Sequence, residues 1–221
     1  MQGSSSTCSM FFAMPLDTQR FVRLRPMLYH LTAASNAEQI RASQTLLPAS
    51  VLYRQAGMGS SVRNRRRSAE WIECDGCRVH IRDQAPLHRG SVWLSDGWDF
   101  EDLVEHLNDN VFFWPGTANR PIAHGHRHFK RYSADDVVVL AIDTQALFAS
   151  NSTLPPRFCR YNSGSPRCSG GRGSPRGPRT FLAAEEFHQR PSDVVEVTFR
   201  GAVRLDDCEV VTQSVGALLR D

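Results

Sequence analysis

Two residues carry the first suggestion of chemistry. His30 ends an apolar run in "MLYHLT" (27–32), and Glu196 is set among valines in "VVEVTF" (194–199). A histidine at the end of a strand is either a hydrogen-bonded structural residue or a functional one. On a strand, Val195 and Val197 share one face, and Glu196 shares the other with Val194 and Thr198. That carboxylate either meets solvent from an edge or points into a cleft, because glutamate is seldom buried unpaired. Cys74-Asp75-Gly76-Cys77 is one C-x-x-C knuckle with His80 nearby, and "HGHRH" aligns His124, His126 and His128 if it is extended. A zinc site needs four ligands, and neither segment has a second half, so no metal is expected. In "RYNSGSPRCSGGRGSPRGPR" (160–179), Arg160, Arg167, Arg172 and Arg176 lie among glycines and serines beside Tyr161. Charge for phosphate and an aromatic ring for a base suit a flexible nucleic-acid clamp; a solvated loop has the same composition.

The chain has 221 residues and a net charge of +3, enough for one domain with a sizeable core. All of its 26 basic residues except Lys130 are arginine, which fits a GC-rich genome and also phosphate recognition. The six cysteines are scattered and do not suggest a disulfide scaffold. No apolar run approaches the ~20 residues of a membrane span, so no membrane association is expected and the cytoplasm is the default location. G-x-S-x-G, H-E-x-x-H, Walker and G-x-G-x-x-G motifs are absent, which removes the common hydrolase, zincin and nucleotide-fold alternatives.

The positioning elements are short. "MLYHLT" reads as a strand, and Ser35 with Glu38 forms an S-x-x-E capping box for the following helix. Residues 59–69 read as a polar arginine-rich loop. "RVHIRDQAPL" (78–87) and "GSVWLSDG" (90–97) contain strands. Asp99 caps a helix whose apolar face is Phe100, Leu103, Val104 and Leu107. "NVFFWPG" (110–116) and "DVVVLAID" (136–143) are buried strands, 160–179 is an exposed loop, and 192–205 is a strand that turns at Gly201. Residues 1–26 read as a loose tail or an upstream start, leaving 27–221 as a single α+β domain.

"LYHLTAASNAEQI" resembles the first strand and helix of ADP-ribosyltransferases of the DarT type, and "VVEVTF" resembles the strand that carries their glutamate. "NVFFWPGTANRP" resembles their aromatic strand and its arginine turn. Residues 27–205 also resemble a bacterial family related to these enzymes, with "IRDQAPL", "VFFWPG" and "RYNSGSPR" as hallmarks. The chain departs from the DarT pattern in an insertion around 59–80, in "FFWPGT" and in the long arginine-glycine loop. The resemblance implies an ADP-ribosyltransferase-like fold of central split antiparallel sheets with few short helices. It implies NAD as a substrate, with His30 on the nicotinamide ribose, Glu196 as the catalytic carboxylate and Arg120 on the pyrophosphate. Tyr29 and Thr32 would support the site, and Phe113 and Trp114 would form its stacking wall. Glu185 and Glu186 are alternative carboxylates. The implied acceptor is a DNA or RNA base held by loop 160–179, in a toxin or phage-defence effector with an antitoxin partner. An RNA phosphotransferase and a nucleic-acid-binding module without enzymatic activity are the competing expectations.

Overall fold

The computed structural model describes residues 14–166 and 173–219. In chain order these form α1 (Thr18–Leu24), β1 (Met27–Ala33), α2 (Ala37–Ser43), β2 (Thr45–Leu46), α3 (Ala49–Gln55), β3 (Glu70–Cys74) and β4 (Cys77–Ile81). Then follow β5 (Val92–Leu94), α4 (Phe100–Asn108), β6 (Asn110–Gly116), α5 (Ala123–Arg131), β7 (Val137–Asp143), α6 (Thr144–Ser150) and β8 (Arg157–Cys159). The chain continues through β9 (Ser174–Arg176), β10 (Glu196–Arg200), β11 (Val203–Arg204), β12 (Val210–Ser214) and α7 (Val215–Leu218). The class is α+β, as expected.

Six strands make one sheet in the order β12-β7-β1-β6-β10-β8, with every neighbouring pair antiparallel. Period-two alternation sends Leu28, Val111, Phe113, Leu140 and Ile142 to one face, where they pack with Phe21, Leu147 and Phe158. Tyr29, Trp114, Val139 and Ala141 take the other face, against Phe129, Tyr132 and Leu218. The sheet is therefore covered on both sides, which accounts for the near-continuous apolar runs of β6 and β7. The split expected between separate sheets is a seam inside this one. β1 pairs with β7 along its whole length, from Met27↔Asp143 to Ala33↔Val137, whereas its pairing with β6 runs only from Met27↔Gly116 to Tyr29↔Trp114.

Several expectations need correction. Residues 18–24 are a helix and not a loose tail: Asp17 accepts from the Arg20 N–H at 2.8 Å, and fully buried Phe21 lies 5.5 Å from the Phe158 ring. Ser35 does not cap α2, because Ala34–Asn36 form a 3₁₀ turn and no side chain caps the helix. The α4 capping box is present, with Asp99 and Asp102 exchanging bonds, and Phe100, Leu103, Val104 and Leu107 are all buried. "CDGC" is a hairpin turn that pairs Cys74 with Cys77, its two central residues at φ 50° and 76°. "HGHRH" belongs to α5 and is not extended, so the three histidines do not share one face. The glycine there answers to packing, since a Cβ on Gly125 would lie 2.7 Å from the Trp114 Cβ. Among the described residues no group of three or more His, Cys, Asp or Glu is placed to hold a metal, and no helix is long and apolar enough to cross a membrane.

Candidate active site

Beyond Tyr29↔Trp114, β1 and β6 diverge, and a cavity of about 240 Å³ opens beside them. His30, Thr32, Phe112, Trp114, Arg82, His128, Ser163 and Glu196 are among its lining residues. His30 bridges the divergence: its Nδ1 lies 2.9 Å from the Phe112 carbonyl oxygen. Burial holds its pKa down at about 4, only partly offset by that bond, so the ring is neutral at neutral pH. A neutral ring facing a carbonyl must carry its proton on Nδ1. That leaves Nε2 as an acceptor only, able to receive a hydrogen bond from a ligand hydroxyl.

Glu196 opens β10, is 1% exposed and stands opposite Cys159 in the ladder. The Ser163 N–H donates to its Oε2 at 3.1 Å. Burial raises the carboxyl to about 7, with Ser163 and the charge of Arg176 pulling the other way. The carboxyl therefore changes charge near neutrality, inside a cavity, which is the behaviour of an acid or base group. Its competitors lie elsewhere. Glu185 and Glu186 are exposed, Glu186 pairs with Arg179 at 3.6 Å, and neither lines the cavity.

The remaining candidates divide. Thr32 lines the cavity and accepts from the Asn36 amide at 3.3 Å. Trp114 also lines it and stacks on His128, ring centroids 4.1 Å apart. Phe113 does not, because the strand alternation turns it into the opposite core; Phe112 is the ring on the cavity side. Tyr29 is fully buried beneath the site and donates its hydroxyl to the Thr117 carbonyl at 2.7 Å. Arg120 is exposed on the turn after β6 and does not line the cavity.

The clamp expected in 160–179 also divides. Arg167 and Arg172 lie outside the described residues. Arg160 is exposed. Arg176 is 2% exposed and cannot grip a phosphate, so this segment is not simply an exposed loop. Its guanidinium donates to the carbonyls of Ser163, Asn162 and Pro175 at 3.2, 3.0 and 2.9 Å and lies 4.1 Å above the Tyr161 ring. It fixes the turn whose Ser163 N–H holds Glu196.

Arg82 escaped the sequence reading, and His128, considered there only as a metal ligand, lines the cavity instead. Arg82 donates to the Leu31 carbonyl and to His128 Nε2, both at 3.3 Å, and its guanidinium covers Tyr132 at 3.9 Å. The segment Arg82–Gln84 is in turn held by the arginine-rich stretch before β3. Arg66 donates to the Arg82 carbonyl at 2.7 Å, and Arg65 to the Gln84 carbonyl at 3.3 Å. Residues 59–69 are thus a brace for the cavity wall. His80 is pinned by Asn36, which accepts from its N–H at 3.0 Å and donates to its carbonyl at 2.9 Å.

A second groove of about 200 Å³ adjoins the first and shares His128, Asn162 and Ser165 with it. One face of α5 supplies His124, Arg127 and Arg131, and among the described residues no carboxylate lines the groove. Arg127 and Arg131 are exposed and form no ion pair among the described residues.

A search of curated proteins finds no match. A profile described as a family of unknown function, DUF7002, covers residues 26–208, from just before β1 to just short of β12, and the chain belongs to that family.

Proposed function

We propose that this chain is a NAD-dependent ADP-ribosyltransferase whose acceptor is a nucleic acid. The observation that carries the reading is the buried Glu196 carboxyl sharing one cavity with the acceptor-only Nε2 of neutral His30. Cleavage of the ribose–nicotinamide bond passes through an oxocarbenium-like transition state, as in glycoside hydrolysis, and asks for little covalent chemistry from the protein. His30 accepts from a ribose hydroxyl and fixes the sugar. The Glu196 carboxylate stabilises the developing positive charge. Nicotinamide leaves with the bonding electron pair. The acceptor atom bonds to the anomeric carbon, and its proton passes to Glu196. Thr32 and Trp114 complete the wall.

The groove along α5 supports the choice of acceptor. Arginines one turn apart and an absence of acids suit a phosphate backbone leading toward the cavity. A base that enters must come from a single strand or be flipped out of a duplex. Such an activity would be toxic to a cell without a neutralising partner.

The test is nicotinamide release from NAD by wild type and by Glu196→Gln, with single-stranded DNA, single-stranded RNA or no polymer. Release that rises with one polymer and disappears in the variant supports the transferase and identifies its acceptor. No release under any condition overturns it. Replacing Arg127 and Arg131 with glutamine should lower the salt slope of oligonucleotide binding by about 1.4, the amount expected for two phosphate contacts on a single strand. The same changes at exposed Arg20 and Arg23 should leave the slope alone. Equal slopes in the two variants would remove the groove from the acceptor path.

A further inference from the structure

Two residues that line the cavity carry buried hydrogen-bond donors that no described residue satisfies. The Trp114 indole N–H is buried with no partner among the described residues, and Trp114 is 6% exposed. The Arg82 Nε–H is likewise buried and unpartnered. His128 connects the two side chains: its ring stacks on Trp114 at 4.1 Å, and its Nε2 accepts from the Arg82 guanidinium at 3.3 Å. All three line the cavity.

Arg82 is also a cation without a local counter-charge. It makes no ion pair within 4.0 Å among the described residues; the Tyr132 side chain interacts with it more strongly than Asp83 and Asp135, which act from longer range. Asp83 itself accepts from the Tyr132 hydroxyl at 3.3 Å and from the Ala85 N–H at 2.8 Å. Buried donors and buried charges are ordinarily paired, and an unpaired one is costly. A guanidinium whose Nε–H is unanswered and a stray indole N–H are donors suited to an oxyanion.

We infer that Arg82 and Trp114 form an oxyanion subsite that takes a phosphate group of the ligand, with His128 holding the two donors in register. The assignment of that phosphate to NAD rests on the transferase reading; the subsite does not. The tetrahedral oxygens of a phosphate can receive the fork and the indole together. Neutral His128 spends its Nε2 lone pair on Arg82, so it orients the guanidinium and presents no acceptor that would repel the anion. The subsite is built on β6, α5 and the segment after β4, and Glu196 on β10, so the anion and the carboxylate are held by different elements.

The test uses ADP, inorganic pyrophosphate and adenosine as calorimetric probes of the full chain, with Trp114→Phe and Arg82→Gln. Trp114→Phe keeps an aromatic ring beside His128 while removing the N–H with part of the indole bicycle, and adenosine binding controls for the lost packing. We expect ADP and pyrophosphate to bind, adenosine to bind at least tenfold more weakly than ADP, and each variant to lose about tenfold for ADP. Adenosine affinity should not change in Trp114→Phe. Pyrophosphate binding without ADP binding would also support the subsite, as one open to free phosphates. Equal affinities for ADP and adenosine, no binding of either phosphate, or full ADP affinity in a folded Trp114→Phe would overturn it. Nicotinamide release is measured in parallel. Phosphate binding lost in the variants with no release from wild type removes the transferase and keeps the subsite. Release with unaltered ADP binding in the variants does the reverse.

Discussion

Arg82 and Arg176 make an instructive pair. Each is withdrawn from solvent, each lies over a tyrosine ring, at 3.9 Å on Tyr132 and 4.1 Å on Tyr161, and neither has an ion pair among the described residues. Their remaining donors differ. Arg176 spends Nε, Nη1 and Nη2 on the carbonyls of Ser163, Pro175 and Asn162. Arg82 engages one carbonyl, one histidine and the Tyr132 side chain and leaves Nε unanswered. The first is a cross-brace that turns a glycine-rich segment into a support for Glu196. The second faces the cavity with capacity to spare. What an arginine does here follows from whether the chain itself closes its fork, and composition does not report that.

The comparison can be broken most sharply at Arg176. Arg176→Gln orphans buried carbonyls and should cost about 3–5 kcal/mol in chemical denaturation, whereas Arg82→Gln should change stability by about 1 kcal/mol or less. Equal losses would show that both arginines are structural. Glu196, which depends on the Arg176 brace, gives the next effect. Its carboxyl titrates at about 7 in the fold against 4.5 ordinarily, so the folded chain binds more protons between those values. Stability therefore falls as pH rises through that window. Glu196→Gln, which carries no charge, should gain about 3 kcal/mol over wild type at about pH 8, and the gain should vanish near pH 4. A variant less stable than wild type at alkaline pH would contradict the burial argument. Nicotinamide release, which needs the carboxylate, should rise through about pH 7.

His30→Ala tests the cavity beside Arg82. We expect about a hundredfold loss of release once the sugar is no longer held, with NAD binding weakened less than turnover. A loss of binding alone would make His30 a simple contact. The smallest effect belongs to Tyr132→Phe. It removes the hydroxyl given to Asp83 and keeps the ring under Arg82, so it should cost about 0.5–1 kcal/mol and leave phosphate affinity intact. A larger fall in phosphate affinity would show that Asp83, released from Tyr132, moves to fill the Arg82 fork.

The strands that carry His30 and Glu196 were legible because period-two alternation and short apolar runs survive translation into a two-sided sheet. The capping box at Asp99 was legible for a local reason: both partners sit within one turn. Three features were not. Gly125 reads as a loop residue until Trp114 is known to press against it. Phe113 and Phe112 are neighbours in sequence, and only the register against β10, Val197↔Phe113 and Thr198↔Phe112, tells which faces the cavity. Arg82 is one of many arginines, and its distinction rests on contacts 46 to 51 residues away, with His128 and Leu31. Side chains positioned by local pattern were readable, and those defined by distant partners were not.

The short pairing between β1 and β6 has a thermodynamic consequence. It joins β12-β7-β1 to β6-β10-β8, and it is the least ladder-bonded junction in the middle of the sheet. His30 on one leaf and Trp114 and Glu196 on the other all line the cavity at its open end. A ligand lodged there cross-links the leaves where the backbone does not. Occupancy should therefore appear as slowed amide exchange along both strands and as a rise in unfolding free energy of about 2.7 kcal/mol at a hundredfold excess over Kd. Ligand discovery for this protein can begin with its melting curve.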